Sequence, residues 1–115
     1  AGLIIVSGGR LMRRAGHVLL EGVPPGISPA EVARVLNEEI EGIDGPDGIH
    51  HVHAWSLAPG KPLVTLHARV AEGIDAQRTL EAIHALLDRR FGVDHATVQI
   101  EFAPCPDQPC DNGRC

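Results

Sequence analysis

Six of the seven histidines in this 115-residue chain fall between His50 and His95, and imidazole is the side chain most suited to zinc and its borderline neighbours. Alternation along Ile49 to Leu57 sets His51, His53 and Trp55 on one face of a strand and Val52 and Ala54 on the other. The stretch Leu63 to Val70 alternates in the same way, with Thr65 and His67 opposed to Val64, Leu66, Ala68 and Val70. A third run, Ala96 to Phe102, turns Val98 and Ile100 inward and Thr97, Gln99 and Glu101 outward. His51, His53, His67 and Glu101 would then meet on one sheet face, with His67 level with His53 or two residues from it across the hairpin. A single exposed histidine is normally just solvated. Imidazoles and a carboxylate converging from three strands read as a metal site, expected to take Zn²⁺ and also able to accept Co²⁺, Ni²⁺ or Cd²⁺.

The three cysteines, Cys105, Cys110 and Cys115, all lie in the last eleven residues. An odd count confined to a polar tail is a poor disulfide framework and reads as a reducing compartment, the thiols idle or available to a metal. Their x₄ spacing is not the close C-x-x-C of structural zinc sites. No G-x-S-x-G, P-loop or H-E-x-x-H pattern occurs, so an enzyme is not expected. Fifteen acidic residues against ten Lys and Arg give a net charge of −5, the wrong sign for nucleic acid. With no Tyr, two Phe and one Trp, base stacking is excluded as well.

The elements that must position these residues are legible from their punctuation. Gly22-Val23-Pro24-Pro25-Gly26 is a breaker and marks the entry to the domain. Ser28 caps a helix with Pro29 at its first position, and Glu31 completes a capping box. Ile27 and Val32 are placed for a hydrophobic staple, Val32, Val35, Leu36 and Ile40 form the buried stripe, and Gly42 supplies a stop. A second helix runs from an Asp75 N-cap to about Arg90, burying Leu80, Ile83 and Leu87, with Gly92 ending it. His84 sits beside that stripe in a structural role. The order helix, strand, strand, helix, strand predicts an α+β fold of ferredoxin-like, metallochaperone-like αββαβ type. Its mixed sheet has three strands, with two helices on one face and the last strand set parallel by a right-handed crossover.

The start of the chain is different in kind. Ala1 to Val6 is apolar and Arg10, Arg13 and Arg14 follow; no signal-peptide cleavage site is present, and the run is too short to span a membrane by itself. An apolar run ending in arginines has the form of the cytoplasmic end of a spanning helix. The expected organisation is residues 1–22 as the end of a last transmembrane helix and its linker. Residues 23–103 form a cytosolic metal-binding and dimerisation domain, and 104–115 a flexible Cys-containing tail.

These motifs together resemble the cation diffusion facilitator family. Ile49-His50-His51-Val52-His53-Ala54-Trp55-Ser56-Leu57, Pro59-Gly60 and His67 are similar to its H-x-x-H-x-W-S-L…H stretch. His17 to Pro24 resembles its LLEG-x-P joint, and Thr97 to Glu101 its T-I-Q-x-E strand. The resemblance implies the cytosolic metal-sensing domain of a divalent-cation exporter, with zinc as the expected cargo, in the cell (inner) membrane with this domain on the cytoplasmic side. It implies a V-shaped homodimer, consistent with the gain a small domain makes by burying an open sheet face against a second copy. The membrane domain of the same transporter is the other implied partner. Residue by residue it implies metal ligation first by His50, His67 and Glu101, next by His53, with His95 and the tail thiols Cys105 and Cys110 as further ligands. Alternation favours His53 over His50; a late strand start or a bulge near Gly48 would turn His50 to the site. The competing reading is a free-standing metallochaperone or metal buffer of the same frame, which normally carries a C-x-x-C loop ahead of its first helix.

Overall fold

The computed structural model describes residues 2–20 and 22–105, and after an N-terminal helix its element order is the expected αββαβ. The elements are α1 (Gly2–Leu19), α2 (Pro29–Glu39), β1 (Ile49–Ala58), β2 (Lys61–Arg69), α3 (Ala76–Phe91) and β3 (His95–Glu101). The sheet order is β1-β2-β3, with β1 antiparallel and β3 parallel to β2. Cys110, Cys115 and most of the expected tail lie outside the described residues.

α2 and α3 pack on one face of the sheet. Val32, Val35 and Leu36 of α2 and Ile83, Leu86 and Leu87 of α3 meet Val64, Leu66 and Ala68 of the central strand, all of them buried. Both helices begin where local chemistry starts them. The Ser28 hydroxyl accepts from the Glu31 N–H at 3.5 Å, and the Asp75 carboxylate accepts from the Gln77 and Arg78 N–H groups at 3.0 and 3.2 Å. The Glu31 carboxylate turns to Arg34 instead of back to the cap, so the reciprocal half of the capping box is replaced by a side-chain ion pair. Ile27 and Val32 are both buried, as a staple requires. α2 closes at Ile40, whose N–H bonds the Leu36 carbonyl, ahead of Gly42. The buried face of α3 is Thr79, Ile83, Leu86 and Leu87, with Leu80 only half-buried. Gly92, at φ 63°, ends α3 in the left-handed conformation glycine tolerates.

Strict alternation fails in β1, and the failure shapes everything that follows. His50 pairs with His67, and the next pair is His53 with Thr65, so three steps on β1 oppose two on β2. The extra residue is a bulge, marked by His51 at φ 50°. Ile49 and Ala54 are both buried although they stand five positions apart, an odd offset that in a regular strand points to opposite faces. A regular strand would have put one of them in water. β2 starts at Lys61, two residues before the expected Leu63. Pro62 pairs with Ser56 of β1, and the ladder to β3 begins only at Leu63, so the missing Pro62 N–H leaves the β2–β3 ladder intact.

Loss of the Asp75 cap should destabilise the domain by about 1 kcal/mol in Asp75→Ala. Leu66→Ala, at the buried centre of the sheet, should cost about 2–5 kcal/mol. Urea unfolding followed by circular dichroism measures both.

Candidate metal centre

The bulge at His51 brings two adjacent imidazoles of β1 to the same place. His50 lies directly across from His67, and the ring centroids of His50, His51 and His67 are 5.2, 5.4 and 4.9 Å apart in pairs. After β3 the chain folds back, so that the Cys105 sulfur lies 3.7 Å from His67 Nδ1 and 4.0 Å from His51 Nδ1. One ligand atom from each of His50, His51, His67 and Cys105 lies within 4.8 Å of the others. Donors 2.0–2.3 Å from a tetrahedral zinc stand about 3.3–3.6 Å from one another, so a small contraction would bring this cluster to coordination distances.

Glu101 closes the cluster from β3. Its carboxylate is 8 % exposed, with Oε1 2.9 Å from His67 Nδ1 and Oε2 3.2 Å from His50 Nε2. Gln99 donates its amide N–H to Oε1 at 2.9 Å. The two atoms that face each other, His50 Nε2 and Glu101 Oε2, are both buried and neither has a hydrogen bond among the described residues. The tautomer of His50 follows from its other nitrogen. Nδ1 lies 3.1 Å from the Gly48 carbonyl, which can only accept, so Nδ1 carries a proton, and in its neutral form the ring turns a lone pair on Nε2 toward the carboxylate. In that form two lone-pair atoms meet at 3.2 Å, close to the edge of a coordination polyhedron, and a cation between them would satisfy both. The donor set of imidazole, carboxylate and thiol suits zinc and neighbouring transition metals rather than magnesium or calcium.

Burial pushes the Glu101 carboxyl up, but the Gln99 hydrogen bond, the charges of His50 and His67 and the Cys105 thiol outweigh it, leaving the group below the ordinary carboxylate value. Gly48 holds the entry to β1. Its carbonyl takes the Arg69 N–H at 2.8 Å as well as His50 Nδ1. A side chain there would drive its Cβ onto the Ile43 side chain and to 3.0 Å from the Asp44 carbonyl oxygen.

Of the residues singled out in the sequence, the fold brings together His50, His67, Glu101 and Cys105. His53 faces the same side of the sheet, but it is exposed, lies opposite Thr65 and stands outside the cluster. His95 is exposed at the start of β3, level with Leu63, about 20 Å along the strand from Glu101. Cys110 lies outside the described residues. His51 was on the expected face by alternation but had no place in the ligand ranking; the bulge puts it in the cluster. The signal for it was present in the odd spacing of Ile49 and Ala54, two core residues that only an extra residue could reconcile.

Residues 28–103 match the family model described as cation efflux protein, cytoplasmic domain. The zinc transporter ZitB of Escherichia coli (strain K12) is 34 % identical over 108 residues, 94 % of this chain and 33 % of that protein. The proton-coupled zinc antiporter SLC30A2 of Rattus norvegicus is 32 % identical over 91 residues, 79 % of this chain and 24 % of that protein. The chain therefore spans a third or less of the length of these curated relatives. Among solved structures, the metal-bound C-terminal domain of the CzcD transporter from Cuprividus metallidurans superposes with a TM-score of 0.58 at 25 % identity, covering 66 % of this chain and all of that one.

A carboxyl group held below its ordinary value adds stability above the unfolded value of 4.5 and loses it as pH falls through the lower folded value. The metal-free domain should therefore lose stability on acidification through this range, and Glu101→Gln should remove part of that slope. Thermal melts from pH 7 downward, with a chelator present, measure the difference.

Proposed function

The chain belongs to the cation efflux proteins, as their cytoplasmic domain, and we propose that it is the zinc-sensing and dimerising part of a divalent-cation exporter. The observation that carries the metal reading is the buried pair His50 Nε2 and Glu101 Oε2, 3.2 Å apart and without a hydrogen bond. With His50 neutral these are two buried acceptors in contact, which is costly unless a cation lies between them. His50, His51, His67 and Cys105 would hold the ion with Glu101, the Gly48 carbonyl fixing the His50 tautomer as an outer partner commonly does for a ligating histidine. When bound, the metal supplies a crosslink among β1, β2 and the segment after β3. Each residue's part is then to present a lone pair and give up any proton on it.

The zinc-transporter relatives and the metal-bound CzcD domain support zinc as the sensed ion and as the exporter's cargo. The exporter reading is favoured over a free-standing metallochaperone because the match to ZitB takes in 94 % of the chain, and so most of α1. No described helix is long and apolar enough to cross a membrane. The exposure of Leu3, Ile4, Ile5, Val6, Leu11 and Met12, ahead of and beside Arg10, Arg13 and Arg14, supports α1 as the inner end of a longer spanning helix. That would place the domain on the cytoplasmic side of the cell membrane, with transport carried out among membrane helices of the same protein. The sheet face opposite the helices carries Trp55 beside an exposed Leu57, and a second copy of the domain is the partner proposed to cover it. Metal would favour the dimer arrangement that best positions its ligands and pass that preference to the membrane helices through residues 21–26.

Zinc titration of the chain tests the ligand set. His50→Ala, His51→Ala, His67→Ala and Glu101→Ala should each weaken binding by more than about 10-fold, the scale set by loss of even an outer partner. His53→Ala and His95→Ala should match wild type. Binding should also weaken as pH falls through the imidazole range, because a protonated ring has no lone pair to offer. With cobalt as the probe, Cys105→Ala should abolish thiolate charge-transfer absorption and Cys110→Ala should preserve it. A His67→Ala variant that binds zinc like wild type would sink the assignment.

Assembly is tested separately by small-angle scattering with and without zinc. The expected result is a homodimer whose dimensions contract when zinc is added. A particle of monomer size in both conditions refutes the dimer, and a dimer indifferent to zinc refutes the sensing mechanism while leaving the metal centre intact.

A further inference from the structure

Glu101 meets its surroundings unequally. Oε1 lies 2.9 Å from His67 Nδ1 and accepts the Gln99 amide N–H at 2.9 Å, whereas Oε2 has no hydrogen bond and faces His50 Nε2. We propose that Gln99 is a positioning residue of the metal centre: its side-chain amide holds Glu101 Oε1 and so presents Oε2 alone to the cation. The inference rests on the metal reading above and adds to it a residue that does not itself touch the ion.

Three side chains hold this carboxylate: the Gln99 amide, the His67 ring and the Cys105 thiol. Ligation replaces the hydrogen on a coordinating ring nitrogen and on a coordinating sulfur with the metal. The amide N–H of Gln99 is the one of the three that ligation leaves in place. Gln99 is well placed for the task. It stands two residues before Glu101 on the same face of β3, its Cα level with His67, which is level in turn with His50. A carboxylate only accepts, so the amide nitrogen rather than its oxygen must face Oε1. Pinned at Oε1, the carboxylate is kept from turning both oxygens to the ion, and its geometry toward His50 is set before metal arrives. Gln99 is itself exposed and contributes nothing to the core, which separates this role from a structural one.

The test uses the full 115-residue chain. Gln99→Leu keeps the approximate size of the side chain and removes the donor. It should raise the zinc dissociation constant about 10-fold, the lower end of what outer partners of metal ligands command. It should also shift the d–d absorption of the cobalt-loaded domain, while the metal-free domain stays folded, its melting temperature lowered only by the loss of one hydrogen bond to the buried carboxylate. Gln99→Lys, which returns a donor within reach of Oε1, should recover most of the affinity and the wild-type cobalt spectrum. Wild-type affinity and spectrum in Gln99→Leu would overturn the proposal, as would equal weakening in both variants. If wild type itself fails to bind zinc, the metal reading falls and the positioning role with it. Zinc binding by wild type without this pattern in the two Gln99 variants would overturn the positioning role and leave the metal reading standing.

Discussion

Glu101 is a carboxylate withdrawn from water at the end of β3, and removing such a group from water costs several kcal/mol unless donors or cations meet it. The domain answers with an amide from β3, an imidazole from β2, another from β1 and a thiol from the segment after β3. These partners come from every strand of the sheet, so their meeting at one carboxylate ties the ends of the three strands together. One contact of the set, between His50 Nε2 and Glu101 Oε2, makes no hydrogen bond among the described residues. That open edge is the one the proposed cation would complete.

The topology makes this meeting possible. Because α3 returns the chain so that β3 runs parallel to β2, the C-terminal ends of both strands lie together, and the antiparallel β1 brings its N-terminal end to the same place. Glu101, His67 and His50 are thus close to strand ends, beside loops rather than in mid-sheet. The loop before β1 is tied to the same region: Arg69 bonds Asp44 through its side chain at 2.9 Å and takes the Gly48 carbonyl through its backbone N–H. Val70 N–H bonds the Glu101 carbonyl at 2.9 Å. A contraction of the metal cluster would therefore be felt by the backbone that enters β1 and leaves β2, and those segments adjoin the open face proposed to meet a second copy.

The bulge reconciles two demands that a regular strand could not. The core requires Ile49 and Ala54 inside, and the site requires His50 and His51 together. One extra residue satisfies both, at the expense of a non-glycine residue at φ 50°, a conformation uncommon for side chains with a Cβ. Backbone irregularity of this kind gathers where strands present functional groups. Here it turns a pair of neighbouring residues, which a flat strand would send to opposite faces, into two candidate ligands on one side.

The frame was legible from the residues. Ser28-Pro29, Asp75 and Gly92 announced the helix ends through local hydrogen bonding, and the alternation in β2 and β3 announced which faces were buried; each of these signals acts within a few residues and needs no distant partner. The same patterns, joined in order, carried the resemblance to the cation diffusion facilitators, and His50, His67 and Glu101 with it. Which histidines of β1 share the site was not legible, because the alternation rule assumes a regular pleat and the bulge arises from competition between β1 and the packing of α2 and α3. It set His50 and His51 in the cluster and left His53 in water. Nor could spacing show that Cys105 folds back onto His67 and His51, or that Oε2 of Glu101 would be left without a donor. Those depend on three strands and a trailing segment arriving at one point, and only the tertiary structure decides where that point is.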